Sequence, residues 1–107
     1  MYLTESEINQ VWAKAQNTGG DNEKNGFRKD QCGAWIKRSE YGNRNSKYGW
    51  EADHIVPVSK GGSDAISNLQ PLHWQNKGLS RAVLKFARQA SRSEQATRPW
   101  RAVQDRG

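Results

Sequence analysis

Asp53-His54-Ile55-Val56-Pro57, followed by Gly61-Gly62, Asn68-Leu69 and His73-Trp74-Gln75-Asn76-Lys77-Gly78, is the stretch that decides how this chain folds. Tyr48 to Ile55 reads as a strand. Val56 to Ser67 reads as a loop, because Pro57 removes a backbone donor and Gly61-Gly62 punctuates the run. A short strand near Leu69–Leu72 is expected to pair back onto the first. A helix is expected from about His73 to about Ser91, with Leu79, Ala82, Val83, Phe86 and Ala90 on its apolar face. Its other face carries Lys77, Arg81, Lys85, Arg88 and Arg92, within about 80° of one another at 3.6 residues per turn.

The same stretch gathers residue types that cleave phosphodiesters. That reaction needs an activated water, a cation on the scissile phosphate and help for the leaving oxygen. His54 can act as a general base near neutral pH. Asp53 and an Asn side-chain oxygen are hard donors that suit Mg²⁺ or Mn²⁺. In a regular strand Asp53 and His54 leave on opposite faces, so both serve one site only if the strand ends or twists there.

Outward from this core, Thr4-Glu5-Ser6-Glu7 forms a capping box. Ile8, Val11, Trp12 and Ala15 mark an amphipathic helix over roughly 5–16, stopped by Asn17-Thr18-Gly19-Gly20. Residues 17–30 read as a polar connection. Gly33 to Tyr41 is strand-like and is expected to form a hairpin with Tyr48 to Ile55 across the turn formers at 42–47. Beyond Ser91, Arg98-Pro99-Trp100 suggests a break.

The 107 residues fit one domain, 1–107, of α+β class. Mean hydropathy is −1.06, and no apolar run approaches the ~20 residues of a membrane helix. The beginning Met1-Tyr2-Leu3-Thr4-Glu5 lacks signal-peptide features, so a cytoplasmic location is expected. Cys32 is the sole cysteine, which excludes an internal disulfide and a multi-cysteine zinc cage, and is read as a small buried hydrophobe. The net charge of +6 is uneven: residues 81–107 hold seven Lys/Arg against Glu94 and Asp105. A basic segment there, with a pI near 9.8, points to nucleic acid as the partner.

Together, Asp53-His54, Asn68 fourteen residues after the histidine, and the ending Asn76-Lys77-Gly78-Leu79-Ser80 resemble the HNH (ββα-metal, or His-Me finger) endonuclease family. The resemblance is strong over residues 50 to 80. It implies a ββα-metal core, a β-hairpin and a helix at about 48–90, with the N-terminal helix covering it. It also implies hydrolysis of DNA with one divalent cation, leaving 5′-phosphate and 3′-hydroxyl ends. His54 then resembles the general base, Asn68 the residue holding the histidine-bearing loop, Asp53 a metal ligand and Asn76 the ligand on the helix.

The chain departs from the family in two ways. The helix ligand usually lies nine residues after the middle Asn, and here that position is Lys77, a cation that cannot ligate a metal. Asn76 comes one residue early, which is 100° on a helix, and His73 is the fallback ligand. Relatives with a structural zinc carry paired cysteines where this chain has Cys32/Trp35 and His73/Asn76. One thiolate cannot build that site. No structural zinc is expected, as in the zinc-free branch of the family, with packing by Trp35, Trp50 and Trp74 in its place.

Lys47, Lys60, Lys77, Arg81, Lys85 and Arg88 are the expected phosphate contacts on duplex DNA. One site per chain implies nicking, and the reading leaves room for a homodimer or a larger nuclease or phage assembly. The alternatives are a non-catalytic nucleic-acid-binding protein on an HNH scaffold, and a nuclease acting on RNA or branched DNA.

Overall fold

The computed structural model describes residues 1–77. The helix expected after Lys77, with Arg81, Lys85, Arg88 and the basic segment 81–107, lies outside the described residues. The first helix, α1 (Glu5–Trp12), begins as its sequence dictates. The Thr4 hydroxyl accepts from the Glu7 amide, and the Glu7 carboxylate accepts from the Thr4 amide. These bonds satisfy donors that a helix N-terminus otherwise leaves open. Ile8, Val11 and Trp12 form its buried stripe. The helix ends at Trp12 rather than near residue 16, and Gln16 instead exchanges backbone hydrogen bonds with Lys29.

Residues 17–30 are more structured than their polarity suggests. They hold α2 (Gly20–Lys24) and strand β1 (Phe27–Lys29). Strand β2 (Trp35–Lys37) pairs antiparallel with β1, in the register Phe27↔Lys37, Arg28↔Ile36 and Lys29↔Trp35. The expected pairing of Gly33–Tyr41 with Tyr48–Ile55 therefore does not form. A nearer partner takes β2, across a turn in which Gly33 (φ 85°) donates its amide to the Asp30 carbonyl. Only isolated links join the two segments: the Lys37 amide donates to the Tyr48 carbonyl at 3.0 Å, the Trp50 indole donates to the Arg38 carbonyl at 3.4 Å, and Tyr41 and Trp50 form a single parallel bridge.

The second hairpin forms as expected. Strand β3 (Trp50–His54) pairs antiparallel with β4 (Leu69–His73), from Trp50↔His73 at one end to His54↔Leu69 at the other. Trp50, Ala52 and Leu69 pack with α1 and Ile36 in the main core. Lys14 fastens α1 to this hairpin, its ammonium donating to the Ile66 carbonyl and, at 2.8 Å, to that of Leu69. After β4 the chain does not enter an α-helix at His73. Trp74–Asn76 is a single 3₁₀ turn, and Lys77 is extended. Among the described residues no helix is long and apolar enough to cross a membrane.

Candidate active site at the His54 loop

His54 closes β3, and the Ile55 amide extends the ladder by one bond to the Asn68 carbonyl at 2.8 Å. Residues 56–67 then form a loop pinned at its base by one side chain. The Asn68 carboxamide oxygen accepts from the Val56 amide at 2.9 Å, while its nitrogen donates to the carbonyls of Val56 at 3.1 Å and Ser63 at 2.7 Å. One asparagine thus satisfies both backbone groups of Val56 and one on the loop's far arm. Gly62 allows the arms to close. A Cβ there would lie 1.7 Å from the Val56 carbonyl oxygen, a separation no side chain tolerates.

The loop also carries Asp64 to the histidine. The His54 Nε2 lies 2.6 Å from the Asp64 carboxylate. A carboxylate can only accept, so Nε2 carries the proton and Nδ1 is left with a lone pair. The imidazole is therefore held in the tautomer a base requires. Sequence reading missed Asp64, because an acid in Gly-Gly-Ser-Asp looks like an ordinary turn residue. The signal available was the presence of a carboxylate within the loop that the histidine opens.

The expected metal ligands do not gather around His54. Regular pairing runs through His54, so alternation assigns Asp53 to the Glu51 face and His54 to the Ala52 face. Asp53 is half-buried, and its side chain makes no hydrogen bond or ion pair among the described residues. His73 sits at the opposite end of the hairpin, four ladder steps or about 13 Å away at 3.3 Å per residue. It is buried, and both ring nitrogens are engaged. Nδ1 accepts from the Gln75 amide, and Nε2 donates to the Lys47 carbonyl at 2.7 Å. Both nitrogens of His73 are thus engaged in bonds of the fold itself. Asn76 is also at that end, its side-chain nitrogen bonded to Asp30 at 2.9 Å.

Lys77 is turned to the strand rather than offered to a phosphate. Its ammonium donates to the Ala52 carbonyl at 3.1 Å and lies 3.2 Å from the Glu51 carboxylate. Glu51 is gripped from the other side by Arg44 at 2.8 Å. The Arg44 hydrogen bond, with that of Lys77, holds the Glu51 carboxyl down to about 2. Lys47 and Lys60, by contrast, are exposed and have no ion-pair partner among the described residues.

Asp30 is the residue that does the bracing, a role that no local pattern around it signals. It is only 1% exposed. One carboxylate oxygen accepts from the amides of Cys32 and Ala34, each at 2.9 Å. The other accepts from the His73 amide and the Asn76 side chain, each at 2.9 Å. A single buried carboxylate therefore joins the β1–β2 turn to the end of β4. The expected tryptophan brace is only partial. Trp50 belongs to the α1 core, while Trp74 stacks on His73 and donates to the Ser46 carbonyl.

Residues 31–75 match the HNH endonuclease family. The match contains His54, Asp64 and Asn68 and both strands of the second hairpin, and the small α+β architecture fits an HNH domain. No curated protein and no solved structure matches the chain. The match ends before Asn76 and begins after Asp30, so the HNH segment is clamped by residues flanking it. Paired cysteines would stand at Cys32, Trp35, His73 and Asn76, and Asp30 bonds residues at three of these four positions.

HNH nucleases generally use a divalent metal, and the donor chemistry here admits one on limited terms. Among the described residues no three His, Cys, Asp or Glu side chains converge, so no caged site exists there. Asp53 is next to His54 in the chain and Asp64 is bonded to it. Both offer hard carboxylate oxygens of the kind Mg²⁺ takes in ones and twos, with water and phosphate completing its shell.

Proposed function

We propose that this protein is a metal-dependent DNA endonuclease that nicks one strand, leaving 5′-phosphate and 3′-hydroxyl ends. The observation that supports this most is the His54 loop: Asn68 pins it, and Asp64 holds the imidazole with Nδ1 open. His54 takes the proton of the attacking water at Nδ1. Asp64 keeps the opposite nitrogen protonated and stabilises the imidazolium that forms. Asn68 fixes the ring's position by fixing the backbone that follows it, and Lys60 on the loop offers a cation to the DNA backbone. Asp53 would hold the divalent cation, Mg²⁺ or Mn²⁺, with water and phosphate completing its shell. When bound, that ion supplies charge neutralisation at the scissile phosphate and the leaving oxygen.

A second reading has a specific observation behind it. His73, Asn76 and Lys77 are committed to other bonds, as they would be in a nucleic-acid-binding protein that keeps the HNH scaffold without its chemistry. Supercoiled plasmid separates the two. Conversion to open circles with Mg²⁺ or Mn²⁺, abolished by EDTA and by His54→Ala, is expected of the nuclease. An intact plasmid that still shifts on a gel would leave only the binding protein. Branched DNA and RNA tried in parallel define the substrate class.

A further inference from the structure

The β1–β2 hairpin has two faces of different character. Arg28 and Ile36 are paired on one, where Arg28 lies over Trp12 and Ile36 joins the core. The other face carries Phe27 opposite Lys37 and Lys29 opposite Trp35. Each lysine lies over a ring, Lys29 at 4.8 Å from the Trp35 centroid and Lys37 at 5.4 Å from that of Phe27. The array continues past the strands. Tyr48 meets Phe27 edge-on at 5.0 Å, and Lys47 lies 5.7 Å from the Tyr48 ring. Neither strand contributes an acid, and none of the three lysines has an ion-pair partner among the described residues.

Isolated surface lysines are usually just solvated. Here the ammonium groups of Lys29 and Lys37 lie over the buried rings of Trp35 and Phe27, and that of Lys47 over the half-buried ring of Tyr48, which restrains all three before any partner arrives. Restraint lowers the entropy lost on binding a regularly spaced polyanion. The two buried rings cannot stack on bases, so the face suits phosphates rather than a single-strand stacking platform.

We propose that Lys29, Lys37 and Lys47 form a duplex-DNA backbone contact, on the opposite side of the second hairpin's length from His54. The proposal rests on the DNA-nuclease reading for its partner but not on catalysis. It extends the footprint beyond the cleavage site, and it carries no sequence preference.

The test is fluorescence anisotropy of a labelled duplex with the full chain in EDTA, where no cleavage intervenes, titrated with KCl. The variant Lys29→Met/Lys37→Met/Lys47→Met keeps unbranched side chains of similar length and removes the charges. Each phosphate contact adds about 0.9 to the slope of log affinity against log salt. The triple variant should therefore lose about 2 to 3 from that slope, while the matching Lys→Arg variant retains it. Should the Met triple fail a circular dichroism check, Lys47→Met alone, at an exposed position, should lose about 1. A slope unchanged in the Met variants, with wild type still binding, overturns this surface and leaves the nuclease reading intact. Equal or tighter wild-type binding to single strands, lost in the same variants, overturns the duplex assignment. Absence of any wild-type binding overturns both this surface and the DNA reading.

Discussion

Replacing Asp30 by Asn is a nearly isosteric change that should cost this protein much of its stability. Each carboxylate oxygen accepts two donors, from Cys32 and Ala34 on one side and from His73 and Asn76 on the other. An amide has one oxygen. Turned toward Cys32 and Ala34, its NH₂ group leaves two buried backbone N–H groups without an acceptor; turned the other way, it leaves the His73 amide without one and obliges the Asn76 carboxamide to flip. With one or two orphaned donors at about 1–2 kcal/mol each, and the remaining bonds weakened from charged to neutral, the loss is about 2–4 kcal/mol. Domains of this size have about 5–15 kcal/mol in total. Each kcal/mol shifts Tm by about 4–8 °C in small domains, so thermal unfolding followed by circular dichroism should show a fall of about 8 °C or more. Asp30→Ala, which strands all four donors, should fall further or fail to fold. A Tm for Asp30→Asn within about 2 °C of wild type, less than 1 kcal/mol, would refute the clamp.

Three further outcomes are expected. Gly62→Ala should disrupt the closure of the His54 loop and lower cleavage about tenfold or more, since a misplaced base costs heavily; retention of full nicking activity would contradict the close approach to Val56. Asp64→Ala should lower kcat about tenfold with little change in KM or Tm, because Asp64 is exposed and its pair with His54 adds little stability; a large Tm loss without a kcat effect would make it structural. Glu51, depressed from 4.5 to about 2, contributes stability that is present above its unfolded pKa and lost as pH falls through the folded value. Urea unfolding between pH 5 and pH 2 should therefore lose about 1–2 kcal/mol more in wild type than in Glu51→Gln, a figure reduced for solvent screening around the exposed Arg44; parallel pH profiles would count against the Arg44–Glu51–Lys77 cluster.

What could be read from the sequence was whatever is written locally. The capping box and the Ile8–Val11–Trp12 stripe specify α1 within a few residues, and the β3–β4 hairpin follows from two short apolar runs around a Pro and Gly loop. β1 was hidden because three residues, Phe-Arg-Lys, show no period, and its pairing is settled by the Asp30–Gly33 turn. The mistaken partner for β2 has the same origin. Strand-like composition says that a segment wants a neighbour, not which one. At the candidate site, residue types suggested His54 and Asn68, but the bonds of His73 and Asn76 depend on Asp30 and Lys47, 43 and 26 residues from His73. Asp30 and Asp64 each resemble a turn former, and only long-range geometry distinguishes them from one.

The two carbonyls that Lys14 holds belong to Ile66 and Leu69, on either side of the asparagine that pins the His54 loop. The family match begins at residue 31, so neither Lys14 nor the helix before it is part of the recognisable motif. The motif is consequently not portable. Grafted into another host as residues 31–75, it would arrive without the cation that steadies its loop from beneath and without the Asp30 carboxylate that ties its two ends. A chimera would need to bring the N-terminal thirty residues along with it, and its designers should treat those residues as part of the HNH unit rather than as a handle.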